Sequence, residues 1–286
     1  MYQKVDKTYR LLELAGVQKA LSKRPYMIKP AFKREEFEGA FRLVYERYKD
    51  AKMILPNRYQ LWFTRYHALP ETRIILGFLP ELSTPACTAS LVFDSREFGL
   101  PSDAIFPDKL DQLRRQGCRL VEFCSLAALP HLRARSLLFH IFRVLYRYAL
   151  WKGATDLVIS VRPEHAAFYE KVLLFKRIGP KRLYPNYYNL YAVLEHISLE
   201  QVPYLYRKAF GGLPRGYNLY QFFVRDELPL NLDLVQQAGL SREDMIYFFI
   251  ERTNMWFKLS EADRVYLAHL YDLFPEKYAA PLSMAV

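Results

Sequence analysis

The chain has 286 residues, 51% of them apolar and 16% aromatic, which excludes an intrinsically disordered polymer and suits one large domain or two small ones. A net charge of +11, from 41 basic and 30 acidic residues, suits an acidic partner, but the cations lie in short clusters such as Lys23/Arg24 and Lys181/Arg182, which argues against nucleic acid. Cys87, Cys118 and Cys124 are odd in number and lack metal-ligand spacing; with no bilayer-spanning run and no signal-peptide core around Lys4, Asp6, Lys7 and Arg10, a cytoplasmic protein is expected.

Residues 6–21 carry apolar side chains at roughly helical spacing (Tyr9, Leu12, Val17, Leu21), and Lys23, Arg24 and Pro25 close the pattern. This amphipathic helix either packs on the domain or touches a membrane surface, and its mixed-charge polar face favours packing. A second helix is expected over 34–48, with Phe37, Phe41, Val44 and Tyr45 on one side. Two β-rich runs, 73–79 and 88–93, read as a hairpin across a loop containing Pro80 and Pro85. A turn at 98–103 and a short helix near 109–116 ending at Gly117 follow.

The stretch 120–175 reads as a βαβα unit: an apolar strand, a basic loop, an amphipathic helix with Leu137, Leu138, Ile141, Phe142, Leu145 and Tyr148 on one face, a strand over 156–161, and a short aromatic helix. Gly153 stops the long helix and Pro163 the second strand. Strands are expected near 175–178 and 189–195 around the aromatic loop of Tyr184, Pro185, Asn186, Tyr187 and Tyr188. Helices follow at 199–210, 241–256 and 260–273, with Ser241/Asp244 and Ser260/Asp263 as caps with acidic first turns. The expected class is α/β of the α+β type, a mixed central sheet flanked by helices. Residues 34–196 form the core, with helical extensions over 1–33 and 197–286, the second showing no readable chemistry.

Phosphate-binding glycine loops, nucleophile elbows and paired-histidine metal helices are absent from the sequence. The residue that stands out is Glu122, inside an apolar strand whose alternation puts Leu120, Glu122, Cys124 and Leu126 on one side and Val121, Phe123 and Ser125 on the other. A carboxylate there is either half of a structural ion pair or a hydrated or pKa-raised group able to act as a base.

The segment His165, Ala166, Ala167, Phe168, Tyr169, Glu170, Lys171 resembles the last helix of the GNAT acyltransferases, where a tyrosine lies near the donor thioester. Leu91–Ser95, Phe98–Asp103, Val121/Glu122, Leu126/Ala127, Pro163, His165, Phe168/Tyr169, and then Ile178–Pro180 and Tyr184/Pro185 together resemble the long-chain N-acyl amino acid synthases. That is the FeeM-like branch of the GNAT fold, related to acyl-homoserine lactone synthases. The resemblance runs over roughly 34–195, in order.

It implies a GNAT fold, a fatty acyl thioester on the phosphopantetheine of acyl carrier protein (or acyl-CoA) as co-substrate with no resident cofactor or metal, and an amino acid acceptor such as tyrosine. Glu122 becomes the expected base and Tyr169 the expected acid for the leaving thiolate, while His165 either orients substrate or caps its helix. Leu126, Ala127, Arg133, Arg135 and Ser136 are expected to bind the donor, the arginines replacing the usual glycine-rich loop. Arg143 and Arg147 are expected either to meet an acidic carrier protein or to form a solvated helix face. The rival readings are a lactone synthase using S-adenosylmethionine, and a non-catalytic module binding carrier protein or a membrane surface, the latter at the inner membrane face. Ser125, Arg162 and Leu174 depart from the family pattern, which has arginine, asparagine and glycine there.

Overall fold

The computed structural model describes residues 9–21, 26–185, 187–228 and 230–273. The expected helix start at Asp6, its stop at Lys23, Arg24 and Pro25, and Asn186 of the aromatic loop lie outside them. Seven strands carry the fold: β1 (Met27–Pro30), β2 (Arg73–Phe78), β3 (Cys87–Phe93), β4 (Leu120–Ala128), β5 (Asp156–Val161), β6 (Lys176–Leu183) and β7 (Tyr191–Ser198). They form one sheet in the order β1-β2-β3-β4-β5-β7-β6, and only β4 and β5 run parallel. The hairpin and the parallel pair agree with the sequence reading. The edge strand β1 is a finding of the structure: it has four residues, ends in a proline and buries only that end, so it carries no alternation to read.

The parallel pair is short. Leu120 faces Asp156, Val121 faces Leu157 and Glu122 faces Val158; beyond that point β4 stays with β3 and β5 with β7, so the two part like a V. A local irregularity lies at the parting. The β3–β4 register shifts between Thr88 and Ser90, opposite Cys124 and Ala127, and Ser125 takes φ +49°: a β-bulge, which bends and twists the strand that carries it. The bulge also reverses the alternation. Leu126 packs with Phe123 in one core and Ala127 with Leu43 and Val44 on the other side, so the expected grouping of Leu126 with Glu122 fails at Ser125.

Two cores sandwich the sheet. On one face α4 (Leu132–Trp151) lays Ile141, Phe142, Leu145 and Tyr148 on Leu91, Val121, Phe123 and Leu157, and α1 (Val17–Leu21) adds Val17 and Ala20. On the other, α2 (Arg34–Asp50) and α3 (Pro107–Arg115), with Phe106 just before it, supply Phe37, Phe41, Phe106 and Leu110 against Leu76, Val92, Val158 and Leu194. Phe37 and Phe41 are each 1% exposed, and burying such a ring is worth roughly 2–3 kcal/mol. His131 caps α4 through Nδ1, which accepts the Ala134 N–H at 3.2 Å, and Gly153 at φ +81° ends it as the sequence predicts.

The segment after β7 serves both cores. Helix α6 (Val202–Phe210), a π-helical turn at Gln221–Arg225 and α7 (Leu232–Gln237) pack on the α4 face. Then α8 (Arg242–Ile246), a second π turn at Tyr247–Glu251, α9 (Met255–Lys258) and α10 (Glu261–Leu270) pack on the opposite face. The helix expected over 241–256 is thus broken into three pieces, while the caps agree with expectation: Ser241 and Ser260 accept the Asp244 and Asp263 N–H groups at 3.0 Å each. None of the described helices is long and apolar enough to cross a membrane.

Candidate active site

Glu122 sits at the last paired position of the V and is 2% exposed. Its Oε2 accepts the Ser102 N–H at 2.8 Å, and its Oε1 accepts the Ser102 hydroxyl at 2.7 Å. The Ser102 hydroxyl also lies 2.5 Å from that of Ser160, on β5. Burial pushes the Glu122 carboxyl up to about 8, against the two Ser102 hydrogen bonds, which favour the ionised form; the charges of Asp103 and Asp94 add to the rise. No cation pairs with it among the described residues, so the ion-pair reading fails and a carboxyl titrating near neutrality remains.

What places Ser102 there is legible residue by residue. Gly99, at φ +62°, turns the chain where a Cβ would lie 2.5 Å from an Asp103 oxygen, and the Leu100 N–H donates to Asp103 Oδ2 at 2.7 Å. Arg114 on α3 then clamps two acids at once, Asp94 at 2.8 and 2.9 Å and Asp103 at 2.8 and 2.6 Å. These bidentate contacts hold the guanidinium charged and fix the 98–104 loop to the end of β3. From below, the buried Tyr184 donates to the Pro101 carbonyl at 2.7 Å, and Tyr66 donates to that of Leu100 at 3.0 Å.

A cavity of about 1000 Å³ fills the V. Glu122 to Ala128 of β4 and Ile159 to Val161 of β5 form its floor; Tyr48 and Trp62, then Tyr184 and Tyr187, form aromatic walls, with Arg47 beside the first pair. The far wall comes from the segment thought to be without chemistry: Met255, Lys258, Leu259, Ser260 and Asp263 line the cavity too. Arg65 pins that wall, donating to Asp263 at 2.8 Å. Of the cavity cations, Arg47 pairs with Asp50, Arg65 with Asp263 and Arg162 with Glu164, whereas Lys258 has no carboxylate partner among the described residues.

The expected site residues divide. Glu122, Leu126, Ala127, His165 and Tyr169 all line the cavity. Tyr169 is 5% exposed, its hydroxyl takes no hydrogen bond among the described residues, and burial raises its pKa. His165, at the exposed rim, is held below the usual imidazole range by desolvation and by the Arg162 charge. The cap of α5 (Pro163–Lys171) is Arg162, not His165. Arg133, Arg135 and Ser136 stand outside the lining: Arg133 pairs with Glu81 at 2.5 Å, Arg135 donates to the Pro130 carbonyl at 3.0 Å, and Ser136 to that of Arg133 at 2.7 Å.

Arg143 and Arg147 require a correction. Arg143 is 5% exposed, stacks 4.8 Å over Phe222, and donates to the carbonyls of Asp226 (2.7 Å) and Glu227; Arg147 donates to that of Val224 at 2.8 Å. They satisfy carbonyls at and just after the π turn, fastening the C-terminal segment to α4; Arg143 is buried by this and offers no surface for a carrier protein, while Arg147 stays half-buried. Of the departures from the family pattern, Ser125 and Leu174 both adopt positive φ, +49° and +60°, so Leu174 takes the left-handed backbone that the family's glycine accommodates at no steric cost. Missed by the sequence reading were Ser160, Lys258 and the aromatic walls; only the local order of the 98–103 motif pointed toward Ser102.

A mixed sheet whose parallel pair splays around a buried carboxyl and a large cavity frames the site, and the family match over its strands makes the chain an acyltransferase. Residues 39–198, more than half the chain, match the family of the N-acyl amino acid synthase FeeM, and the chain belongs to that family. Among solved structures it is similar to FeeM, an N-acyl amino acid synthase from uncultured soil microbes, at 22% identity over 64% of this chain and 94% of that one, with a TM-score of 0.56. The CoA-dependent acyl-homoserine lactone synthase BjaI follows at 14% identity over 74% of this chain and 99% of its own, TM-score 0.49, and the lactone synthase LasI at 14% over 61% and 89%, TM-score 0.45. No curated protein matches the chain in sequence. The segment from α6 onward, which supplies the cavity's far wall, lies outside the family match.

Proposed function

We propose that the chain transfers a long-chain fatty acyl group from the phosphopantetheine thioester of acyl carrier protein, or from acyl-CoA, to the amine of an amino acid. The observation that carries this reading is Glu122: a carboxyl with its pKa raised to about 8, without a cation partner among the described residues, at the floor of a cavity where two strands part. An ammonium cannot attack a thioester. As the C–N bond forms, the amine proton passes to the Glu122 carboxylate; as the C–S bond breaks, the thiolate takes a proton, for which Tyr169 is a lining hydroxyl without a hydrogen bond among the described residues. The aromatic and aliphatic walls suit the acyl chain. Lys258, free of a carboxylate partner among the described residues, suits the carboxylate of the acceptor.

The test is mass spectrometry of reactions containing purified chain, acyl carrier protein or CoA thioester, and single amino acids. An N-acyl amino acid with one equivalent of free thiol is expected, and neither from Glu122→Gln. Thiol release only with S-adenosylmethionine, or with no amino acid at all, rejects the reading; Tyr169→Phe at full rate removes the tyrosine from it.

A further inference from the structure

Both Glu122 oxygens already accept hydrogen bonds from one residue, the N–H and the hydroxyl of Ser102, and the carboxyl is 2% exposed. Each oxygen keeps a second lone pair, but so little of the carboxyl is exposed that an incoming amine has scant direct access to it. Ser102 is itself fully buried, at 0% exposed, and the next group outward is the hydroxyl of Ser160, 2.5 Å from that of Ser102 and half-buried on the cavity-lining stretch of β5. Ser102 and Ser160 lie 58 positions apart, brought together because the 98–104 loop folds under the V and β5 flanks it.

We propose that Ser160 and Ser102 form a two-hydroxyl relay through which Glu122 takes the acceptor's proton without touching it. With Glu122 ionised, Ser102 donates to Glu122 and Ser160 donates to Ser102, leaving a Ser160 lone pair toward the cavity. As the C–N bond forms, the amine proton goes to the Ser160 oxygen, the Ser160 proton to the Ser102 oxygen, and the Ser102 proton to Glu122 Oε1. One proton enters and one reaches the carboxylate, and both serines end neutral with their hydrogen bonds reversed. The relay then runs backward to discharge Glu122 into the cavity. Ser160, which meets the amine, is a catalytic residue in this relay and Ser102, which acts between it and Glu122, a positioning residue; the inference rests on reading Glu122 as the base.

The experiment is a set of rate and pH profiles on Ser160→Ala, Ser160→Thr, Ser102→Ala and the Ser160→Ala/Glu122→Gln pair, with N-acyl amino acid formation as the readout. Ser160→Ala should lower kcat by roughly 10- to 100-fold, within the range that general-base catalysis supplies, and Ser160→Thr, which keeps the hydroxyl, should recover most of it. The pair should be no slower than Glu122→Gln alone, since both remove one function. Ser102→Ala keeps the backbone N–H but loses a hydrogen bond to the ionised carboxylate, so its rate midpoint should move to higher pH than wild type. A full-rate Ser160→Ala, or losses that multiply in the pair, overturns the relay while leaving the base intact. A full-rate Glu122→Gln overturns the base and the relay together. If Ser160→Ala does not fold, the Ser102→Ala profile decides, and an unmoved midpoint with wild-type rate rejects the relay.

Discussion

The two faces of the sheet bury charge in opposite ways. On the α4 side, Arg143 and Arg73, the first residue of β2, at 5% and 2% exposed, aim their guanidinium groups at backbone carbonyls: Asp226 and Glu227 for the first, Pro70 and Gln236 for the second. The terminal N–H groups meet fixed acceptors, while the buried Nε of each finds none among the described residues, and the charge serves to close the C-terminal segment onto the core. Across the sheet Glu122 is as deeply buried, yet it meets hydroxyls that can reverse direction and borders a cavity. Desolvation works on both residues, lowering the pKa of Arg143 and raising that of Glu122, but only the carboxyl is moved into the range where a proton can come and go near neutrality. Buried charge alone therefore does not mark a site; buried charge beside space, with partners that can exchange protons, does.

The sharpest way to break the comparison is to substitute one residue from each face. Glu122→Gln should fold and should lower kcat by about 100-fold or more, the usual cost of losing a general base. In the wild type, kcat/KM should rise with pH and level off above about 8, because the carboxyl must be ionised to accept a proton, and the variant should lack that limb. A Gln variant within a few-fold of wild type, or a profile flat from pH 6 to 9, returns Glu122 to the structural side. Arg143→Ala should do the reverse. It strands two carbonyls and empties a stacked position over Phe222, so chemical denaturation should show a loss of about 2–3 kcal/mol, while the rate per folded molecule stays within about twofold of wild type. An Arg143→Ala enzyme that keeps its stability and loses its rate would place that face in the chemistry after all.

The residues involved show why some of this could be read beforehand. The hairpin, the parallel pair and the long helix announce themselves through local periodicity, and Glu122 through being polar where its neighbours are not. The ordered motif at 98–103 could be seen, but its purpose could not, because it lies in contacts with Arg114, Tyr184 and Glu122 from three other elements. Ser160 and Lys258 carry no local signal at all: one is an ordinary strand serine, the other a surface lysine in a short helix. The bulge at Ser125 was hidden because a serine in the left-handed region looks like any other strand residue, and the alternation argument failed from that point on. Arg143 and Arg147 misled for the opposite reason, since helix-face arginines next to a basic loop look solvated until the segment that covers them is in place.

The weakest expected effect is also the one that separates function from stability at Glu122. The folded-state pKa of this carboxyl, about 8, lies above its unfolded value near 4.5, so the folded chain holds the proton more tightly than the unfolded chain. Its stabilising contribution is full below about pH 4.5, declines as pH rises toward 8, and is gone above, where the folded state keeps an ionised carboxylate out of water with only Ser102 to solvate it. Glutamine at this position can still accept the Ser102 N–H and carries no charge. Glu122→Gln should therefore melt higher than wild type at pH 9, by a few degrees or about 1 kcal/mol for a chain of this size, and the gap should close on going to pH 5. A gap that widens toward acid pH would mean that Glu122 is held ionised in the folded chain, and the base assignment would lose its electrostatic footing even if the rate loss stood.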